Sequence, residues 1–422
     1  MTTSPLSPRH SRRPVRTGLV AVVASILLAT PFALSAGATT TYTATAAPLP
    51  ANGFAHPQAS LLGVSCPAAE QCVAVGRYQS TSGPAGVIDT DVHGVWSTRE
   101  ITLPSDAASS PNTVLSAVSC VAVGNCVAVG QYDATTGYEG LIVTETAGVW
   151  GTGVRAPLPS GAVSSTVTAL YGVDCLSTSY CVAVGQYKNA AGDQAWIVRK
   201  SGGVWGASQR APLPKYAKSN FITQLDAVSC TSPGNCVAVG QFVDTSPARR
   251  AMIDTESGGA WSSSQVAPLP TDAERNPWAG LFGVKCFVGG NCVAVGVYQG
   301  PNGGQGLIDT ESNGLWSSTR RAPLAAGKSL TSDSDQLIGL SCVSAAHCVA
   351  VGQDTEGLND APVAITSTGT QWSAVDEPRP ANAISSPGYG VLNAVSCTSA
   401  TTCVAVGQYE SSEGQPALIE SR

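Results

Sequence analysis

Cysteine is the side chain through which this 422-residue chain could do the most chemistry, and its fourteen cysteines fall in seven pairs. They are Cys66/Cys72, Cys120/Cys126, Cys175/Cys181, Cys230/Cys236, Cys286/Cys292, Cys342/Cys348 and Cys397/Cys403, each enclosing five residues. Paired thiols either hold a metal or oxidise to a disulfide. The spacing, without a neighbouring histidine cluster, does not match zinc sites, so a disulfide within each pair is expected, each closing a small loop worth about 2 kcal/mol in chain entropy. Past residue 38 the histidines are His56, His93 and His347, and none stands beside a recurring serine or aspartate. Ser/His/Asp and Cys/His nucleophile systems therefore find no support, and no phosphate-binding glycine loop or nucleophile elbow occurs. Asp333 and Asp335 in "TSDSDQ" are oxygen donors of the kind calcium takes, but a full ligand set is missing and a solvated loop is the expectation. No catalytic residue, metal or cofactor is expected.

The chemistry that remains is recognition. Trp278, Arg275, Tyr216, Phe221 and Tyr389 stand in segments that differ from one another, "TDAERNPWA", "KYAKSNFIT" and "PANAISSPGY", whereas most of the chain repeats itself. Aromatic and guanidinium groups in such loops are contact candidates for a glycan or a protein.

The elements that position them follow from the repeat. First cysteines succeed one another at 54 to 56 residues, a period typical of β repeats. Each repeat reads as four strands: one like "LSAVSC", one like "CVAVGQY", a third like "GLIDT", and a fourth that starts at a tryptophan and runs into "APLP". Trp96, Trp150, Trp205, Trp261, Trp316 and Trp372 mark six fourth strands, each 24 or 25 residues beyond its second cysteine. The seventh would fall past Arg422, and "TYTATAAPLP" (residues 41–50) precedes the first pair with the same "APLP". A missing strand at one end and an orphan at the other predict ring closure; an open stack would need polar caps. Within "CVAVG", Cys126, Ala128 and Gly130 point one way and Val127 and Val129 the other, so the small face of one repeat can sit on the bulky face of the next. The recurring Gln and Tyr that follow, as at Gln131/Tyr132, read as packing and hydrogen bonding between repeats.

This pattern resembles a seven-bladed β-propeller, all-β, with four antiparallel strands per blade and the N-terminal strand completing the last blade. The turns "TESGGAWSS" and "TESNGLWSS" resemble the Asp-box hairpin of sialidase-like propellers, with Glu256, Gly258 and Trp261 at its Asp, Gly and Trp positions. Lys200 in "KSGGVW" and His93 in "VHGVW" depart from it. The resemblance implies a hairpin and a fold; it carries no sialidase activity, because that family's arginine triad and Tyr/Glu pair cannot be placed by motif.

Arg9, Arg12, Arg13 and Arg16 followed by the apolar run from Gly18 to Ala33 read as a bacterial-type export signal cleaved near residue 38, leaving residues 39–422 as the propeller. Beyond it stand 18 basic and 28 acidic side chains, net −10, which offers nucleic acid no basic footprint. The expectation is a secreted, monomeric, non-catalytic binding propeller for an extracellular glycan or protein. The alternatives are a propeller glycoside hydrolase or lyase with a central acidic pocket, and a structural cell-envelope protein.

Overall fold

The computed structural model describes residues 42–422 apart from 164–166, 219–221, 247, 276, 327, 329–334, 357–358 and 386–387. The segment read as an export signal lies outside the described residues. The remainder is seven antiparallel sheets, one per repeat, numbered here as blades 1 to 7 in order of their cysteine pairs. Blade 5 shows the pattern: Ala279–Phe287, Asn291–Gly300, Gly303–Ser312 and Leu315–Arg321 pair in sequence order. In blade 2 the fourth strand is broken into Val149–Trp150 and Val154–Arg155. Each first strand touches the first strands of both neighbouring blades, blade 7 meeting blade 1, so the ring closes on itself.

Closure uses the N-terminal strand as expected. Thr43–Ala46 runs antiparallel to Ala417–Ser421, with Thr43 opposite Ser421 and Ala46 opposite Leu418. The Ala47 amide adds a 2.9 Å bond to the Ala417 carbonyl. The strand is shorter than the 41–50 stretch because Pro48 and Pro50 have no N–H to give the ladder. Tyr42 takes the place of a blade tryptophan: its ring is buried beneath the Arg422 guanidinium, 4.7 Å away.

Seven disulfides join Cys66 to Cys72, Cys120 to Cys126, Cys175 to Cys181, Cys230 to Cys236, Cys286 to Cys292, Cys342 to Cys348 and Cys397 to Cys403, and no cysteine is free. Each staples the hairpin between first and second strands. The second cysteine of every pair is a core residue: Cys72, Cys126, Cys181, Cys236, Cys292, Cys348 and Cys403 are all 0–3% exposed. These second cysteines belong to the packing of the blades. Their burial follows from alternation, because the second cysteine shares the inward face of its strand with the alanine two residues on.

The repeated "CVAVG" packs as its alternation requires. Cys126 and Ala128 meet Val73, Val75 and Ile88 of blade 1, while Val127 and Val129 meet Leu170 and Ala183 of blade 3. Its glycine has a stronger reason than packing. A Cβ on Gly130 would lie 1.9 Å from the Val114 carbonyl oxygen, and the equivalent glycine of every other blade meets a first-strand carbonyl at 1.8–2.1 Å. That close approach arises because every first strand carries a β-bulge there, in blade 2 between Leu115 and Ala117, and a bulge pushes one backbone toward its partner.

The "SC" dipeptide is explained by the ring. The residue before each first cysteine accepts a bond from the amide of the first cysteine in the next blade: Ser65 from Cys120, Ser119 from Cys175, Asp174 from Cys230, Ser229 from Cys286, Ser341 from Cys397 and Ser396 from Cys66, at 2.6–3.1 Å. Blade 5 has Lys285, which has no acceptor to offer. Substituting Ser229→Ala orphans a buried amide and is expected to destabilise the ring by about 1–3 kcal/mol. The measurement is a urea melt, and a midpoint equal to that of wild type would refute the cap.

Candidate functional site

The connections between blades and the turns between second and third strands share one face, opposite the disulfide hairpins. The start of each connection is itself a repeated device. Gly53, Ala107, Ala162, Ala217 and Ala383 bridge the far end of the second-strand hairpin in the following blade, at Ser80, Ala134, Asn189, Asp244 and Ser411. The preceding residue is a hydrogen-bond partner for that blade's tyrosine: the Tyr78, Tyr132, Tyr298 and Tyr409 hydroxyls donate to Asn52, Asp106, Asp272 and Asn382 at 2.8–2.9 Å. Tyr216 holds this position before blade 4, whose aromatic is Phe242, with no hydroxyl to bond. Tyr216 is thereby released, 59% exposed, with Lys215 Nζ 5.6 Å from its ring centroid.

Trp278 and Tyr389 sit further along their connections, directly before the innermost strand and so at the rim of the central channel. The Gln58, Ile222, Trp278 and Tyr389 carbonyls accept from the Gln79, Val243, Gln299 and Glu410 amides at 2.8–3.2 Å. The bond that recurs at this position is made by the backbone, and the side chains diverge. Trp278 is half-buried and Tyr389 is likewise partly covered. The Tyr389 hydroxyl accepts from Gln408 Nε2 at 3.0 Å, and burial pushes its pKa up. Arg275 is exposed; Phe221 lies outside the described residues, as does Asp333. The described candidates thus fall on three connections, with Arg275 and Trp278 together on one.

The channel below the rim is the site that sequence reading missed. The bulge residues Leu62, Ser116, Tyr171, Asp226, Phe282, Ile338 and Asn393, with their two following neighbours, line a cavity of about 180 Å³ on the ring axis. Gln224 Nε2 donates to Asp226 Oδ1 at 2.7 Å, while Oδ2 is buried without a hydrogen-bond partner. Burial pushes the Asp226 carboxyl up to about 7, the Gln224 bond offsetting part of that. The Tyr171 hydroxyl, in the adjacent blade, is raised first by burial and then by the Asp226 charge. A signal was present in the sequence: leucine and a second aliphatic residue stand three apart in first strands, as at Leu61/Val64 and Leu115/Val118, and regular alternation would put them on opposite faces.

On the disulfide face, the Asp-box-like positions form a second set of side chains. Asp91, Glu145, Lys200, Glu256, Glu311 and Ser367 each stand opposite their blade tryptophan. This corrects the placement of His93, which lies in the turn with positive φ where Gly258 lies in blade 4; Asp91 holds the acidic position. Arg199 of blade 3 forms an ion pair with the fully buried Glu256 of blade 4. Among the described residues no cluster of three or more His, Cys, Asp or Glu is placed to hold a metal, and no helix is long and apolar enough to cross a membrane.

No family model matches the chain, and no match is found among curated proteins. Solved structures do match. An ulvan lyase of a polysaccharide lyase family aligns with TM-score 0.51 at 8% identity, over 82% of this chain and 89% of that one. A Dyadobacter fermentans protein described as of unknown function aligns at 0.48 and 8%, over 76% and 96%. A Trypanosoma rangeli sialidase aligns at 0.43 and 11%, over 88% of this chain and 54% of the sialidase. The likeness is one of fold alone, a β-propeller.

Proposed function

We propose that the protein is a secreted, non-catalytic propeller that binds an extracellular glycan or protein on the face carrying the inter-blade connections, with Trp278 as a contact. The observation that carries this reading is the rim position, where Gln58, Ile222, Trp278 and Tyr389 do the same backbone work and present four different side chains. A position whose recurring bond is made by the backbone leaves its side chain free to differ, and a ligand can then select it. The seven disulfides fit an oxidising compartment. A partly exposed indole three residues from an exposed guanidinium on one connection suits stacking on a sugar ring or anchoring a protein contact.

The test is a screen of wild type and Trp278→Ala against extracellular glycans and surface proteins, with melts alongside. Binding weakened by about 2 kcal/mol or more at unchanged melting temperature is the expected result. Full binding by the variant, or a collapse in its stability, removes Trp278 from the site. A propeller hydrolase or lyase is the second reading, favoured by Asp226, a carboxyl beside Tyr171 held near neutrality by burial. Release of sugar fragments by wild type and not by Asp226→Asn would replace the binding reading with this one.

A further inference from the structure

Seven copies of one blade allow each cleft between blades to be compared with the others. Between blades 3 and 4 the cleft is filled from within: Arg199 reaches across to Glu256. In the next cleft, between blades 4 and 5, the carboxylate is retained as Glu311 while the position of Arg199 is occupied by Thr255. Register fixes both directions. Thr255 is opposite Val237, which packs toward blade 5, and Glu311 is opposite Cys292, which packs toward blade 4. Blade 1 supplies a cation by another route, with Arg99 of its fourth strand acting on Glu145 of blade 2. That position in blade 4 is Gln265, which stands opposite Ile253 as Arg99 stands opposite Ile88. Both places from which other blades deliver a positive charge are therefore neutral here.

The consequence is open space around a buried acid. The cleft measures about 460 Å³ and is lined by Thr231, Asn235, Gln265 and Phe287 as well as Glu311. Glu311 is 6% exposed and has no hydrogen bond or ion pair among the described residues; burial alone pushes its carboxyl upward. Next in sequence to the lining residues Phe287 and Gly314 stand two exposed apolar side chains, Val288 at 85% and Leu315 at 69%, one in the disulfide turn and one in the tryptophan hairpin.

We propose that this cleft receives the guanidinium of an arginine side chain from a protein partner, in the pose that Arg199 adopts toward Glu256 one blade earlier. A guanidinium, rather than an ammonium, suits a wall rich in oxygen acceptors, because it carries five N–H donors in a fixed plane. Phe287 adds an aromatic surface to the same wall. A buried acid in a polar cleft, flanked by exposed apolar side chains, suits an arginine anchor from a protein partner. The surface lies on the disulfide face and is independent of the binding proposed for the loop face.

The experiment titrates the full propeller with Nα-acetylarginine amide, its neutral isostere Nα-acetylcitrulline amide, methylguanidinium, and the capped tripeptide Leu-Arg-Leu, following heat or chemical shift. Expected are binding of the arginine compounds and none of the citrulline, a loss of at least about ten-fold in Glu311→Gln at a melting temperature no lower than that of wild type, and the tightest binding by the tripeptide. Thr255→Arg, which rebuilds the internal pair of the preceding cleft, is expected to abolish binding and raise the melting temperature. Failure of wild type to bind Nα-acetylarginine amide, or binding by Glu311→Gln within two-fold of wild type, overturns the site. Methylguanidinium binding as tightly as the tripeptide overturns the protein partner. Trp278→Ala leaves all of these titrations unchanged, so this result and the loop-face result stand or fall separately.

Discussion

A chain starting at Ala51 is expected to unfold at a much lower temperature than one starting at Thr39, although the segment between them supplies a single strand of four residues. The reason is topological. Thr43–Ala46 is the fourth strand of blade 7, and the ladder from Thr43/Ser421 to Ala46/Leu418 latches the two ends of the ring together. Its loss bares the edge of Ala417–Ser421, an invitation to pair with another chain. It also removes Tyr42 from a cluster that holds Leu392, Ala405 and Leu418 together with Val349 and Val351 of blade 6. Deleting a buried aromatic side chain alone costs about 3–5 kcal/mol, and the lost ladder adds to it. Thermal melts of the two chains, with light scattering to follow association, measure the effect; equal melting temperatures would dissolve the latch. Tyr42→Ala in the full chain separates the side chain from the strand and is expected to fall between them.

That strand was legible because a count of tryptophans came up one short and a matching "APLP" stood at the other end. Repetition made the rest of the ring legible too: seven cysteine pairs and six tryptophans are strong constraints even though no single strand is distinctive. The site was harder for the same reason. Sequence comparison within the chain singled out the divergent connections, and Trp278 and Tyr389 do stand at the channel rim, yet Tyr216 is divergent for a structural reason, the missing hydroxyl of Phe242. The channel lining stayed hidden because a one-residue bulge turns Tyr171, Asp226 and Phe282 toward the axis, and a two-residue alternation read straight through the strand assigns them elsewhere. The displaced box position of His93 is a different error, because Asp91 stands five residues before Trp96 as Glu256 stands five before Trp261, and the letters alone carry that spacing.

The copies also say which residues the fold tolerates but does not need. In the third strands, Asp89, Asp254, Asp309 and Glu420 occupy the position held in other blades by Val143, Val198 and Ile365, and all four acids are buried. Neither oxygen of Asp254 or Asp309 has a hydrogen-bond partner of good geometry. Burial is the leading cause that pushes Asp254 up to about 8, with the Ser264 hydroxyl offsetting a little, and pushes Asp89 and Asp309 to about 7 and Glu420 to about 9. Each acid is therefore neutral in the folded chain at a pH where the unfolded chain, with carboxyls near 4, has already released the proton. The unfolded state then binds fewer protons than the folded state, so stability falls as pH rises from about 4 to about 8 and levels off only when the buried groups ionise. Asp254→Val, the residue that blades 2 and 3 already use, removes one such group without opening a cavity. It is expected to stabilise the protein at about pH 8 by more than about 1–3 kcal/mol, the scale of an unsatisfied buried polar group, because the raised carboxyl adds its linkage cost there. The gain is expected to be much smaller at about pH 3, where the wild-type acid is mostly protonated in both states. Denaturant melts of the two proteins at both pH values measure the difference. A variant no more stable than wild type at the higher pH, or a gain equal at both, would mean that Asp254 is not the uncompensated acid its surroundings make it.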